Sequence, residues 1–191
     1  IRMDGQTMAN CRQIVSMGGG AYIGNMSPVA EFNYWVDPDA AKEVYDFTIP
    51  ITMVGLNVTT QIVFTPTIFE FIKKLGKPAG ELIDAMRGFY LGYHWDTERK
   101  FGCNLHDPLA VAVACDPQLV KTTLCNVEIS DSGVTRGECL CDLIDAWKKR
   151  KNCRVALEVD REGFLDRFFG CLYPENAAEY RDFKGFLKGL R

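Results

Sequence analysis

Apolar residues along this 191-residue chain fall into alternating rhythms, short unbroken runs and longer helical spacings. Gln13 to Met17 reads as a short buried strand that runs into glycines, and Pro50 to Leu56 as a β-rich, central strand. Between them, Asp37-Pro38-Asp39 predicts a turn and a helix start. Pro38 suits the first helical position, and the helix would run through Ala40, Val44 and Phe47. Strand, helix, strand is the signature of a parallel α/β sheet.

From Thr65, Ile68, Phe69, Ile72 and Leu75 recur at helical spacing until Gly76 stops the helix. A longer helix is predicted from Pro78, with Leu82, Ala85, Met86, Phe89 and Tyr93 as its core-facing side, running out into Tyr93-His94-Trp95 and the charged segment Asp96 to Lys100. Asp107 before Pro108 reads as the cap of a helix whose alanine-rich run, Leu109 to Ala114, can pack close to a sheet. Thr122 to Ser130 and Thr135 to Ile144 predict strands joined by the turn Asp131-Ser132-Gly133, and Asn152 to Val159 a further strand. Arg161 to Tyr173 predicts a helix with Phe164, Leu165, Phe168 and Phe169 inward, and Pro174 to Arg191 a short terminal helix. There are no repeats, low-complexity tracts or linkers, so residues 1–191 read as one domain.

Composition narrows the class. With 47% hydrophobic and 25% charged residues the chain can bury a core. A net charge of -3 argues against a nucleic-acid backbone as partner. The basic run Lys148 to Lys151 reads as a solvated surface, placed at a helix end that it would cap. No apolar run reaches the roughly 18 residues that span a bilayer, and the first residues lack signal-peptide order, so a cytoplasmic location is expected. The eight cysteines (Cys11, Cys103, Cys115, Cys125, Cys139, Cys141, Cys153 and Cys171) contain no CxxC pair and read as buried free thiols. Cys139 and Cys141 are expected on alternate faces of a strand or on a turn, unable to share a metal.

Two polar clusters carry the candidate chemistry. The first is Met17 to Ala41, where Gly18, Gly19, Gly20 and Gly24 allow tight turns or close approach to a ligand, and Asn25, Glu31 and Asn33 follow at short intervals. An ordinary strand-to-helix connection would explain the glycines equally. The second is His106-Asp107, where capping alone would explain the aspartate and a satisfied lone histidine its neighbour. Both clusters follow strands or precede helices, where open parallel sheets form ligand crevices. If they meet, the asparagines and the glutamate suit adjacent sugar hydroxyls. Asp107 suits a hard cation such as calcium or magnesium, and His106 a general acid. That set suggests hydrolysis at an anomeric carbon through an oxocarbenium-like transition state.

Met17-Gly18-Gly19, Gly24-Asn25, Glu31-Phe32-Asn33, Asp37-Pro38 with Ala40-Ala41, and His106-Asp107-Pro108 before an alanine-rich helix occur here in the order in which the inosine-uridine preferring nucleoside hydrolases carry them. Thr135-Arg136-Gly137 and the Asp160-Arg161 to Phe164-Leu165 helix start resemble that family's later segments. The chain therefore resembles the C-terminal portion of a calcium-dependent nucleoside N-ribohydrolase, over about Cys11 to Phe169. The resemblance implies a mostly parallel open sheet flanked by helices, lacking its N-terminal strands. It implies that Asn25, Glu31 and Asn33 hold ribose hydroxyls, with Met17 packed on the sugar. Asp107 would bind one calcium ion and reach a hydroxyl, and His106 would give a proton to the leaving base. Tyr93, His94 and Trp95 could touch that base. The calcium would grip the hydroxyls and activate a water. The expected substrate is a purine or pyrimidine ribonucleoside, in nucleoside catabolism or purine salvage, and a homo-oligomer is expected when complete.

One departure from the family pattern qualifies this. Its opening Asp-x-Asp-x-Gly-x-Asp-Asp motif, source of most calcium ligands and of the general base, is absent from the 191 residues. Calcium takes about six to eight oxygens, so a truncated or divided polypeptide, inactive alone, is expected, with an unpaired sheet edge and exposed apolar helix faces. The alternative is a non-catalytic, sugar-binding remnant. A phosphoesterase using the same wall would need cations near the loop, and Met17 to Ala41 holds none.

Overall fold

A computed structural model describes residues 1–189, with residues 97 and 98 described by backbone alone. The element order is α1 (Gly5–Met8), β1 (Ile14–Met17), α2 (Phe32–Val36), α3 (Pro38–Asp46), β2 (Ile51–Val54), α4 (Leu56–Thr59), β3 (Val63–Phe64), α5 (Pro66–Lys74), α6 (Pro78–Glu98), β4 (Cys103–Asn104), α7 (His106–Cys115), β5 (Val120–Ile129), β6 (Cys139–Asp142), β7 (Cys153–Val159), α8 (Arg161–Leu172) and α9 (Ala177–Gly189). Two compact units emerge, one from Ile1–Gln61 with His106–Asp160, the other from Ile62–Leu105 with the segment from Arg161 on.

The first unit is built on a five-stranded sheet in the order β1-β2-β7-β5-β6. β1 pairs parallel with β2, bringing Met17 opposite Val54, and β2 pairs parallel with β7. β5 runs antiparallel to both β7 and β6. The sheet is thus mixed, because the expected β5-β6 hairpin reverses one strand against the others. β1 lies at one edge of this sheet among the described residues. The core of this unit gathers Tyr34, Tyr45, Ile51, Met53, Val127, Ile129 and Val155. Removing such apolar area from water is the main stabilising term, about 25 cal/mol per Å².

Local chemistry explains the helix starts. Asp37 accepts the Ala40 amide at 2.9 Å and Pro38 opens α3, as its sequence predicts. α7, however, opens at His106, so Asp107 sits inside its first turn and is not the cap. First-turn amides need no intrahelical partner, so Pro108 is accommodated there at little cost.

The second unit pairs β3 and β4 antiparallel and packs helices on an aromatic cluster. Ile68, Phe69 and Ile72 of α5 are buried as their spacing predicts, and Phe164 and Phe169 of α8 likewise. Phe71 stacks on Phe183 with centroids 4.0 Å apart, and Phe169 on Tyr180 at 4.5 Å, which docks α9. The terminal helix matches its expected place, except that Leu190 and Arg191 lie outside the described residues.

Three expectations need correction. The stripe Leu82, Met86, Phe89 and Tyr93 does not face the core: Phe89 is 75% exposed and Leu82 63%. The covered line of α6 is Gly80, Ile83, Arg87, Leu91 and His94, with Arg87 bridging Glu70 of α5 and Asp84. Periodicity shows which residues share a face, and only the packing says which face is covered. The second correction concerns Cys139 and Cys141, which share one face of β6 with sulfurs 3.7 Å apart, since strand side chains repeat every two residues. The third is Lys148 to Lys151, which is the solvated surface its charge predicts but caps no helix and lies in the β6-β7 connection, where Lys149 pairs with Glu128 and lies over Trp147. Thiol burial is also uneven. Cys103, Cys125, Cys139 and Cys153 are buried, while Cys11, Cys115 and Cys171 are exposed.

Candidate active site

The parallel strands β1 and β2 end side by side at Met17 and Val54, and the chain beyond each end builds the site. After β1 the backbone turns through Gly18, Gly19 and Gly20. At Gly19 φ is +66°, and an added Cβ would lie 2.7 Å from the Tyr34 ring, so the turn tolerates no side chain. After β2, Leu56 returns an amide to the Gly19 carbonyl at 2.9 Å, tying the two turns together.

Glu31 is the hub of the glycine segment. Only 3% exposed, it caps α2 by accepting the Asn33 amide at 2.9 Å and the Tyr34 amide at 3.4 Å, and it accepts the Gly19 amide at 2.9 Å. Burial raises its carboxyl above the ordinary glutamate range, and the negative charge of Asp107 adds to that rise while the three amides oppose it. α7 packs on β1, whose end runs into the glycine segment, and on α4 after β2, and this packing brings the α7 start beside that segment. The structure gives Glu31 chiefly a backbone-organising task, leaving only limited acceptor capacity for a sugar.

Asn33 and Met17 meet directly. The Asn33 amide Nδ2 donates to the Met17 carbonyl at 3.4 Å and lies 3.3 Å from its sulfur. Asn25 accepts the Phe32 amide at 2.9 Å through Oδ1, and both asparagine side chains are exposed. Buried beneath them, Tyr34 hydrogen-bonds Ser16 and Tyr45, each at 2.8 Å, and burial pushes both phenols well above their ordinary range.

His106 opens α7, and its Nδ1 lies 2.7 Å from the Thr59 hydroxyl. Asp107 beside it is exposed. Thr59 and its neighbour Asn57 were missed in the sequence. Asn57 accepts the Ala21 amide at 3.4 Å and donates to the Ala156 carbonyl, bracing the glycine segment against β7. The signal was a cluster of polar residues, Asn57, Thr59 and Thr60, directly after a β-rich run.

Tyr93, His94 and Trp95 belong to the second unit. His94 does not have the expected base-contacting form. It is 4% exposed, with Nδ1 on the Tyr90 carbonyl at 2.9 Å and Nε2 accepting the Asn104 amide at 3.3 Å, so both nitrogens are consumed by the fold. Tyr93 and Trp95 are exposed.

Among the described residues no three His, Cys, Asp or Glu side chains group as metal ligands. Asp107 alone falls short of the about six to eight oxygens that calcium takes, so these residues do not by themselves form a calcium cage. No described helix is long and apolar enough to cross a membrane.

The sequence model of the family described as "Inosine-uridine preferring nucleoside hydrolase" matches residues 1–166. The chain belongs to that nucleoside hydrolase family. Among its relatives, this family member is 36% identical over 160 residues to the pyrimidine-specific ribonucleoside hydrolase RihA of Klebsiella pneumoniae, covering 83% of this chain and 51% of that one. It is 38% identical over 164 residues to RihA of Shewanella sp., at 85% and 52% coverage. The solved purine-preferring ribonucleoside hydrolase of Gardnerella vaginalis superposes with a TM-score of 0.74 at 39% identity, over 82% of this chain and 50% of that one. A plant nucleoside hydrolase superposes at 0.70 with 29% identity, over 80% and 50%. This nucleoside hydrolase chain thus spans about half the length of those relatives.

Proposed function

We propose that this chain supplies the ribose-holding wall and the leaving-group donor of a nucleoside N-ribohydrolase. The observation that carries the reading is the assembly, past the carboxyl ends of β1 and β2, of a Met17–Asn33 contact, a Glu31 hub that holds the glycine turn, and His106 held by Thr59 on the helix packed against β1. Two exposed amides and an exposed carboxylate suit vicinal hydroxyls, which both donate and accept. As the bond from C1′ to the base nitrogen breaks, its electron pair passes to the base and positive charge spreads onto the sugar ring. Met17 offers the sugar a polarizable apolar surface, Asn25 and Asn33 fix the ring's orientation, and His106 presents a proton to the departing base. Water adds its oxygen to C1′, giving ribose and free base.

Asp107 is our candidate for one ligand of a calcium ion. Such an ion would supply Lewis-acid polarisation of hydroxyls and water. Its other oxygens would have to come from water, substrate hydroxyls or a further polypeptide segment. The substrate class is a purine or pyrimidine ribonucleoside, since the names of the relatives include both preferences. Assembly into a homo-oligomer, a cytoplasmic location and a place in nucleoside catabolism or purine salvage belong to the same proposal.

The test is ribose release from inosine and uridine by the purified chain, with and without a calcium chelator, beside His106→Ala and Asp107→Asn. Release that falls at least about 100-fold in His106→Ala, the low end of general acid catalysis, supports the reading. Ribose binding without release in any condition, including added flanking polypeptide, would favour a sugar-binding remnant.

A further inference from the structure

Resting on the reading of His106 as the group that faces the leaving base, we infer that Thr59 is a positioning residue that fixes the neutral His106 ring with its proton on Nε2. Thr59 ends α4, in the turn after β2, and is fully enclosed at 0% exposure. Its Oγ1 lies 2.7 Å from His106 Nδ1. A hydroxyl carries one proton, and a buried donor without an acceptor is costly. The next residue, Thr60, places its hydroxyl on the Leu56 carbonyl of its own helix at 2.7 Å, whereas the side-chain partner of Thr59 among the described residues is His106.

Two arrangements of that pair exist for a neutral ring. If Nδ1 carried the proton, it would point at the Thr59 oxygen and strand the hydroxyl proton inside the protein. If Nδ1 accepts from the hydroxyl, both groups are satisfied and the ring proton sits on Nε2. Nε2–H is then a hydrogen-bond donor to the base as it takes up the electron pair of the breaking bond, while full transfer of a proton draws on the charged ring, in which Nδ1 donates to the Thr59 oxygen. Thr59 touches neither sugar nor base in this scheme and acts only through the ring.

The same chain contains the opposite case. His94 places Nδ1 against the Tyr90 carbonyl, which can only accept, and receives the Asn104 amide on Nε2. Its proton therefore belongs on Nδ1. The two histidines of the chain should show opposite tautomers, one imposed by a carbonyl and the other by a hydroxyl.

The experiment is nitrogen NMR of the 191-residue chain with labelled histidine, at a pH where both rings are neutral. The expected result is Nε2–H at His106 and Nδ1–H at His94. In Thr59→Val the His106 Nδ1 resonance should move to the position of an acceptor that has lost its hydrogen bond, and Thr59→Ser should restore it, with the backbone amide signals of Gly19 and Asn33, in the same unit as His106, unchanged as the mark of an intact fold. A proton on Nδ1 of His106 in the unaltered chain overturns the inference, and that measurement needs no variant. So does a Thr59→Val chain whose His106 signals stay in place while the Gly19 and Asn33 amide signals persist. Neither readout needs turnover, so a failure to release ribose even with the flanking polypeptide added would count against the proposed function and leave the tautomer assignment to stand or fall separately.

Discussion

The Gly19 amide donates to the Glu31 carboxylate at 2.9 Å, joining the turn after β1 to the first turn of α2. Glu31→Gln keeps the shape but replaces one acceptor oxygen with an NH2 group that faces backbone donors. A loss of about 1–3 kcal/mol is expected, the cost of an unsatisfied buried group, read as a lower denaturant midpoint.

The same carboxylate predicts a pH dependence. Its pKa is raised in the folded chain, chiefly by burial, so the charged form is disfavoured relative to the unfolded chain. The penalty is absent below the ordinary glutamate value, grows as pH rises from there and is complete once the pH passes the raised folded value. The stability advantage of the native chain over Glu31→Gln should therefore shrink as pH rises from the ordinary glutamate value of about 4.3 toward the raised folded one and level off above it. A constant difference across that range would show that the carboxylate is not desolvated in solution.

Gly19→Ala should be more damaging than its one methyl suggests. It forces a left-handed φ on alanine and drives Cβ to 2.7 Å from the Tyr34 ring and 3.1 Å from the Cys139 Cβ. Overpacking and strain together predict a loss of about 2–4 kcal/mol. A thermal scan in which Gly19→Ala melts with the native chain would show that the loop relaxes freely.

Thiol reactivity should divide the cysteines. Cys11, Cys115 and Cys171 are exposed, whereas burial pushes Cys103 up to about 11 and Cys153 up to about 12. Cys125 is raised too, through its hydrogen bond with Cys141 and through burial. Brief alkylation of the native chain at neutral pH should label the exposed three first, because thiolate is the reactive form. Mass spectrometry finding Cys153 labelled as fast as Cys171 would contradict the buried assignment.

The exposed side of α6 predicts binding of apolar dyes. Leu82, Met86, Phe89 and Tyr93 form a continuous apolar stripe at the surface. Phe89→Lys should lower dye fluorescence while leaving the melting temperature within about 2 °C, since a surface change is worth about 0.5 kcal/mol or less.

The sequence by itself determined the local layer of this protein. Pro38 after Asp37, the apolar runs at β1 and β2, and the spacing of Ile68, Phe69 and Ile72 act over a few residues, so element type and position were legible from them. The ordered motifs around Asn25, Glu31, Asn33 and His106-Asp107 were equally legible and pointed to the family that the comparisons show. Only the tertiary structure decided what each side chain is free to do. Glu31 spends its oxygens on three backbone amides, His94 spends both nitrogens on the fold, and α6 turns its aromatic stripe outward. The bond between Thr59 and His106 joins residues 47 positions apart. Such pairings depend on how elements pack, and a periodic pattern specifies a shared face without specifying the partner that covers it.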